Sequence, residues 1–449
     1  MARLGARIRK GTMETMETLG TAAVVRSPMS PVTNVAKAFS VPGMLQSPTV
    51  GQGLKTTNGN MVRLGDVCHI LNGYAFRSEK YVCSGVRIIR IANVQKGYVE
   101  DSSPVFYPLD NNELYKYELF EDDLLMSLTG NVGRVALLQK EFLPAVLSQR
   151  VACLRIKDET VIGKRFLFNF LNSDYFETKC IESSKGVAQK NMSTEWLKNY
   201  KVPLFSFEEQ EKISSELDKI SHLITLRKRQ LSKLDELVKS RFVEMFGDTF
   251  SNPMGWPSKT FEEAGKRLSD GPFGSNLKSS HYSDSGIRVI RLGNIGVGKF
   301  IDEDRAFIPR EHYEKLKKYT CRAGEIVIGT LGDPNLRACL VPANIDVAVN
   351  KSDCVHYLPK KELLDEQYVC WYLNAPGTLK LATSMIHGQT RSRVSSGQIA
   401  RMPIRIPPLA LQREFAAFVE KVDKLEFKAK ASLEKLETLK KAMMQKYFN

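Results

Sequence analysis

The chain has 449 residues and a formal net charge of +15. That length allows two or three domains with full cores, and the excess of cations favours an anionic partner, most often nucleic acid. No apolar run is long enough to span a bilayer, so a membrane-embedded role is excluded, and the eight cysteines form no C-x-x-C pair, which argues against zinc or disulfide scaffolds.

Residues 1–60 are rich in Ser, Thr, Gly, Pro and Met and show no sustained periodicity. Their Arg-containing start lacks the apolar core of a secretory signal, so the segment reads as a disordered leader or an extension. From Met61 a globular pattern begins. RIIRIANV (87–94), DLLMSL (123–128), RVALL (134–138) and RVACLRI (150–156) predict strands, with Gly-rich turns between them. Residues 164–184 predict one helix, 193–199 a short one, and KVPLF (201–205) a further strand. Several cysteines lie inside apolar strand-like runs, as in KSDCVHYL. All eight read as buried free thiols of a reduced cytoplasm.

Residues 208–246 contain no Pro and no Gly. Ile213, Leu217, Ile220, Ile224, Leu231, Leu234, Val238 and Met245 recur at 4-3 spacing, interrupted by Arg227 and Arg241. This predicts a rod-like helix whose apolar seam needs a partner. Residues 412–448 supply one: a shift of 202 lays Gln210 on Gln412, Leu234 on Leu436 and Phe246 on Phe448. Its stripe is Phe415, Val419, Val422, Ala429, Leu433, Leu436, Met443 and Tyr447.

The same shift, within one residue, relates the globular parts. GVRIIRIANVQKG (85–97) matches GIRVIRLGNIGVG (286–298), DLLMSLTG matches EIVIGTLG (325–332), and RVACLRI matches KSDCVHYL through Cys153 and Cys354. A constant shift through strands, turns and helix means one globular-plus-helix unit occurring twice. The expected fold class is α+β: two mixed α/β domains separated by an antiparallel two-helix coiled coil, related by a pseudo-twofold. Two inverted readers at the ends of a spacer suit a DNA target split by a gap.

Catalytic motifs fail on inspection. GNIGVGKF (293–300) has Phe300 where a phosphate loop needs Ser or Thr, and its first-half counterpart ANVQKGY has no such pattern, so it reads as a strand-to-hairpin turn. DPNL (333–336) lacks the second Pro and the aromatic residue of an adenine methyltransferase loop. The six histidines are scattered without zinc spacing. No cofactor is expected. What remains is polar, Gly-rich turns. One pair is 72–78, with Tyr74, Arg77 and Ser78, and 270–278, with Ser275, Asn276 and Lys278. The other is 186–191, with Gln189, Lys190 and Asn191, and 388–393, with Gln389, Arg391 and Arg393. Arg and Lys read guanine, Gln and Asn read adenine, and Ser and Lys hold phosphate.

DGPFGSNLKSSHY (270–282) and RMPIRIPPLALQREF (401–415), with its weaker twin YKVPLFSFEEQEKI (200–213), resemble segments of the specificity subunits of Type I restriction–modification systems. The resemblance covers residues 61–449. It implies target recognition domains over 61–206 and 248–408 and spacer helices over 207–247 and 409–449. It further implies a non-catalytic cytoplasmic subunit that binds double-stranded DNA, two modification (methyltransferase) subunits that methylate adenine N6, and restriction (translocase/nuclease) subunits as further partners. Two other readings fit the same residues: the specificity chain of a Type IIB-like restriction enzyme, and a coiled-coil interaction protein with no DNA role.

Overall fold

The computed structural model describes residues 60–108, 112–184, 191–385 and 393–448. The leader 1–59 lies outside them, and residues 59–449 form one compact unit. Among the described residues no helix is long and apolar enough to cross a membrane.

Each globular domain is built on three small sheets. In the first, Cys68–Asn72, Val151–Ile156, Leu124–Ser127 and Val135–Leu137 lie side by side in that order, all antiparallel. A second sheet has the order Phe106–Tyr107, Val86–Ile89, Ala145–Leu147, Glu118–Leu119, with Val86–Ile89 and Ala145–Leu147 parallel. Asn60–Arg63 pairs with Lys201–Leu204. The second domain repeats this order strand for strand: Gly265–Ser269, Cys354–Pro359, Ile326–Gly329, Arg337–Leu340; then Ala306–Ile308, Ile287–Ile290, Val347–Asn350, Thr320–Arg322; and Ser258–Thr260 with Pro403–Arg405. Again only the pair of Ile287–Ile290 with Val347–Asn350 is parallel among the described ladders of these sheets.

Four sequence expectations are revised. Residues 164–184 form two helices, Lys164–Leu171 and Asp174–Ser183, because Ser173 Oγ accepts from Phe176 N and starts a new helix. The strand expected over 87–94 ends at Ile89, where a tight turn, Ile91–Asn93, closes as Arg90 N donates to Asn93 Oδ1. Cys83 is exposed, unlike the other seven cysteines. The strand register also revises one match between the halves. Leu125 faces Cys153 and Val327 faces His356, so Cys153 takes the place of His356, not of Cys354. Burial pushes the Cys153 thiol up, and the Cys354 thiol up to about 12, so both are inert packing groups.

The two 40-residue helices, Phe207–Phe246 and Leu409–Phe448, give a rod of about 60 Å. A capping box starts the first: Ser206 Oγ accepts from Glu209 N while the Glu209 carboxylate accepts from Ser206 N. Gly247, at φ 77, ends it. The helices run antiparallel, as three cross-rod contacts record: Tyr447 Oη donates to Glu216 (2.6 Å), Lys228 pairs with Glu437 (3.0 Å), and Arg241 pairs with Glu414 (3.1 Å).

Both helices belong to both domains. Ile213, Leu217 and Phe448 complete the first domain's core, around Phe166 and Phe170. Leu234, Val238, Phe242, Met245 and Phe246, with Phe415, Val419 and Val422, complete the second. Between these ends Ile224, Leu231, Leu433 and Leu436 are only half-buried. The repeat extends to single hydrogen bonds. Gln210, fully buried, accepts from Gly163 N and donates to the Val161 and Phe205 carbonyls. Gln412, equally buried, accepts from Asp365 N and donates to Leu363 and Pro407.

The carboxylate before the equivalent strand has a different partner in each domain, Arg155 for Asp123 and His356 for Glu325. His356 is 1% exposed, and its Nε2 sits 2.9 Å from Glu325 without the alignment of a good hydrogen bond. Burial pushes its pKa below the usual 6.5, against the pull of Glu325. An imidazole that resists protonation in the fold takes up a proton on unfolding, so stability is full above pH 6.5 and falls as the pH drops below it. In the first domain Arg155 supplies the cation to Asp123 at 2.7 Å and stays charged throughout. The melting temperature should therefore fall on acidification through this window, and His356→Gln should flatten the fall. Equal acid dependence in wild type and variant removes His356 as the cause.

Candidate nucleic-acid interface

The first candidate loop of each domain leaves the sheet through a glycine with no room for a side chain. A Cβ on Gly73 would lie 2.2 Å from the Ser148 carbonyl, and one on Gly271 2.2 Å from that of Lys351. Both glycines therefore pass beneath the C-terminal end of a parallel strand, and the residues after them are thrown outward. Arg77 and Ser78 are exposed in the first domain, and Ser275, Asn276 and Lys278 in the second.

Tyr74 differs from its neighbours. Its backbone bonds to Leu147 and Gln149, and its ring packs half-buried against Phe76 (5.0 Å) and Tyr117 (5.3 Å). It braces the loop from within the domain. The second domain presents an aromatic outward instead: Phe273 is 48% exposed. Sequence reading passed over Phe273, although an aromatic residue flanked by Pro272 and Gly274 was its available signal.

The second candidate loops lie largely outside the described residues, and Gln189, Lys190, Gln389 and Arg391 are among those outside. Their C-terminal ends are described. Asn191 pairs with Thr129, whose Oγ1 donates to Asn191 Oδ1 at 3.2 Å. Arg393 pairs with Leu331, and its Nη2 lies 2.9 Å from Asp353 Oδ1.

In the second domain the two loops meet. The Arg393 guanidinium stands 5.9 Å above the Phe273 ring, and Ser396 Oγ donates to Asp270. Beside them Tyr282 carries two cations on its ring, Lys351 at 5.5 Å and Arg291 at 5.9 Å. Two histidines that are far apart in sequence come together under the loop. The His281 and His312 rings lie 4.2 Å apart; His281 Nδ1 accepts from Lys278 N, and His312 Nε2 shares a hydrogen bond with the Asn276 carbonyl. The result is a braced loop surface with cations, an exposed aromatic and side-chain amides, the chemistry that meets phosphates and base edges.

The GNIGVGKF stretch is a hairpin. Ile295 and Phe300 bridge each other, and Gly296 N donates to the Lys299 carbonyl. The Lys299 ammonium is held by Glu426 at 2.8 Å. Among the described residues no three His, Cys, Asp or Glu side chains cluster as metal ligands would.

Residues 58–236 match the family model of the Type I restriction modification DNA specificity domain. The Type I restriction enzyme EcoAI specificity subunit of Escherichia coli is 30% identical over 225 residues, 47% of this chain and 36% of that protein. The MjaVIII specificity subunit of Methanocaldococcus jannaschii is 22% identical over 353 residues, 76% of this chain and 80% of that protein. Among solved structures, a chain from a study of complex assembly and conformational transition in the type I R-M system superposes with a TM-score of 0.53, covering 87% of this chain and 98% of that one. The Type I restriction–modification S subunit from M. genitalium gives 0.52, covering 88% and 98%. Both are 17% identical, so they speak to the fold. The chain is thus similar to Type I restriction–modification specificity subunits: residues 58–236 match the DNA specificity domain, and the described residues share the fold of the solved S subunit.

Proposed function

We propose that this chain is the sequence-reading subunit of a Type I restriction–modification complex. It binds a bipartite double-stranded DNA target, one half-site per domain, and directs adenine-N6 methylation or cleavage by partner methyltransferase and translocase/nuclease subunits. The chain itself performs no catalysis. The observation that carries this reading is the duplication: the same strand order recurs at both ends of an antiparallel rod, while the loops at equivalent places differ in chemistry. One scaffold with two loop chemistries is what two unlike half-sites require. The net charge of +15 supplies the sequence-independent attraction to phosphate.

On this reading Tyr74, Arg77, Ser78, Gln189, Lys190 and Asn191 belong to one half-site's interface, with Tyr74 as its internal brace. Ser275, Asn276, Lys278, Gln389, Arg391 and Arg393 belong to the other's. The test is methylome sequencing of cells carrying the chain with its methyltransferase partner. The wild type should mark one bipartite motif. Replacing Gln389, Arg391 and Arg393 together by Ala should relax or lose positions in one half-site only, at about 1–3 kcal/mol for each bidentate contact removed. An unchanged motif after the triple replacement refutes the loop assignment, and a methylome that does not depend on the chain refutes the function.

A further inference from the structure

The two domains are not attached to the rod in the same way. We propose that Lys299 is a positioning residue that latches the second domain to both spacer helices and so fixes the gap the chain accepts between half-sites. This rests on the bipartite reading above.

Lys299 sits at the tip of the hairpin 295–300. Its Nζ lies 2.8 Å from Glu426 on the second helix and 3.6 Å from Asp235 on the first. The hairpin itself is rigidly seated. Gly298 N donates to the Ala338 carbonyl, and Gly298, at φ 70, packs so closely on Trp371 that a Cβ there would lie 3.1 Å from the ring. A cation on a stiff finger thus touches both strands of the rod at one point.

The acceptor is unusual for a rod seam. Glu426 lies one turn after Val422 and just before Ala429, and is only 8% exposed. Burial works to raise its carboxyl, and the hydrogen bonds from Lys299 and Lys430 overcome this, holding it below the usual range. Lys430, on the same helix, still compensates Glu426 when Lys299 is removed, so what Lys299 alone supplies is the tie between the hairpin and the rod.

The first domain has the same hairpin and no such latch. Gln95 N donates to the Tyr98 carbonyl, and Val94 bridges Val99, so Tyr98 stands where Lys299 does. Tyr98 is 52% exposed. The shift of 202 puts Ile224 where the second helix has Glu426. The hairpin's lysine, Lys96, turns instead to Asp174 and Glu177 of its own domain, at 2.8 and 2.6 Å. Across from it the rod offers Lys228, Lys440 and Lys441 together with Glu437, lining a shared cavity of about 420 Å³. Burial holds the Lys440 ammonium below its usual pKa, against the pull of Asp218 and with Lys96 and Lys228 adding to the shift. One junction ties hairpin to rod by a direct ion pair; at the other, the hairpin and rod lysines are paired within their own domain or along the rod, Lys96 with Asp174 and Glu177 and Lys228 with Glu437.

If Lys299 fixes the second domain's angle, removing its charge loosens the hairpin's hold on the rod and lets that angle vary about the shared core, while the reading loops stay intact. The half-site bases should then be unchanged and the accepted gap broadened. The experiment is methylome sequencing with the partner methyltransferase for wild type, Lys299→Met, Lys299→Arg and Glu426→Gln. Lys299→Met keeps the aliphatic stem, and Glu426→Gln keeps the shape of the acceptor. Both should raise methylation at sites whose gap differs by one base pair by about tenfold relative to wild type, the size at which residues linking two coupled sites act. Lys299→Arg should restore the narrow gap. A gap as strict in Lys299→Met as in wild type overturns the latch. Should Lys299→Met fail to fold, Glu426→Gln decides: a strict gap there overturns the latch equally. If the wild type itself marks no bipartite motif, the function proposed above fails and not the latch alone.

Discussion

Four residues inserted after Arg229 in the first helix alone are expected to abolish bipartite recognition, whereas four inserted there and four after Lys435 in the second helix are expected to lengthen the gap by about two base pairs. The reason is that each helix is anchored at both ends. Ile213 and Leu217 sit in the first domain's core beside Phe448, and Phe242 and Phe246 sit in the second's beside Phe415. Four residues add about 6 Å and return the seam to within about 40° of its partner. In one helix only, that length has no match, so either Phe448 or Phe415 must leave its core. In both helices the rod grows as a unit, and at about 3.4 Å per base pair the readers move apart by close to two steps. Two-residue insertions in both helices rotate each seam by about 200° and should destroy the packing. Methylome sequencing reads all three variants. The spacer idea is sunk by an unchanged gap in the double four-residue insertion, or by altered half-site bases.

Phe415→Ala should cost about 3–5 kcal/mol of stability, the range for truncating a fully buried aromatic. Phe415 is 0% exposed and lies 5.5 Å from the Phe242 ring and 5.6 Å from Phe246, which in turn pack on Tyr368 of the domain, Phe242 stacked and Phe246 edge-on. One side chain therefore joins both helices to the second domain, and a cavity there cannot be filled from either helix without moving the other. Urea unfolding followed by tryptophan fluorescence gives the measurement. Trp256 and Trp371 report the second domain, with Trp371 in the affected core. A loss below about 1 kcal/mol, the scale of a tolerated volume-conserving swap, would mean that the core collapses around the gap and that Phe415 is not a keystone.

Much of this architecture was legible beforehand because the repeat is written at several periods at once. Strand alternation, glycine turns and the 4-3 seam each recur at nearly the same offset, and matched Gln210 and Gln412 turn out to make the same three hydrogen bonds. What escaped was whatever depends on exact pairing or on distant segments. Cys153 and Cys354 share a residue type, and that identity drew the match two residues away from the register the ladder enforces. The helix break at Ser173 was masked by the apolar run Phe166–Leu171 that precedes it. At the loops, exposure of Arg77, Ser275 and Lys278 accords with their polar sequence. The approach of Arg393 to Phe273 could not be read, since it joins loops on different strands through the fold. Glu426 was invisible for the same reason: its partner Lys299 lies on another element altogether.

The closing of the first domain by Phe448 has a consequence for synthesis. Phe166 and Phe170 are made early, yet the Phe448 ring that packs on both of them belongs to a helix made more than two hundred residues later. At about 5–20 residues per second, the interval between Phe246 and Phe448 is about 10–40 s. Throughout it the first half lacks the Phe448 ring that completes its core and the second helix that pairs with Phe207–Phe246. The chain's most vulnerable moment is therefore set by the order of its parts, and chaperone demand should centre on the half that is translated first.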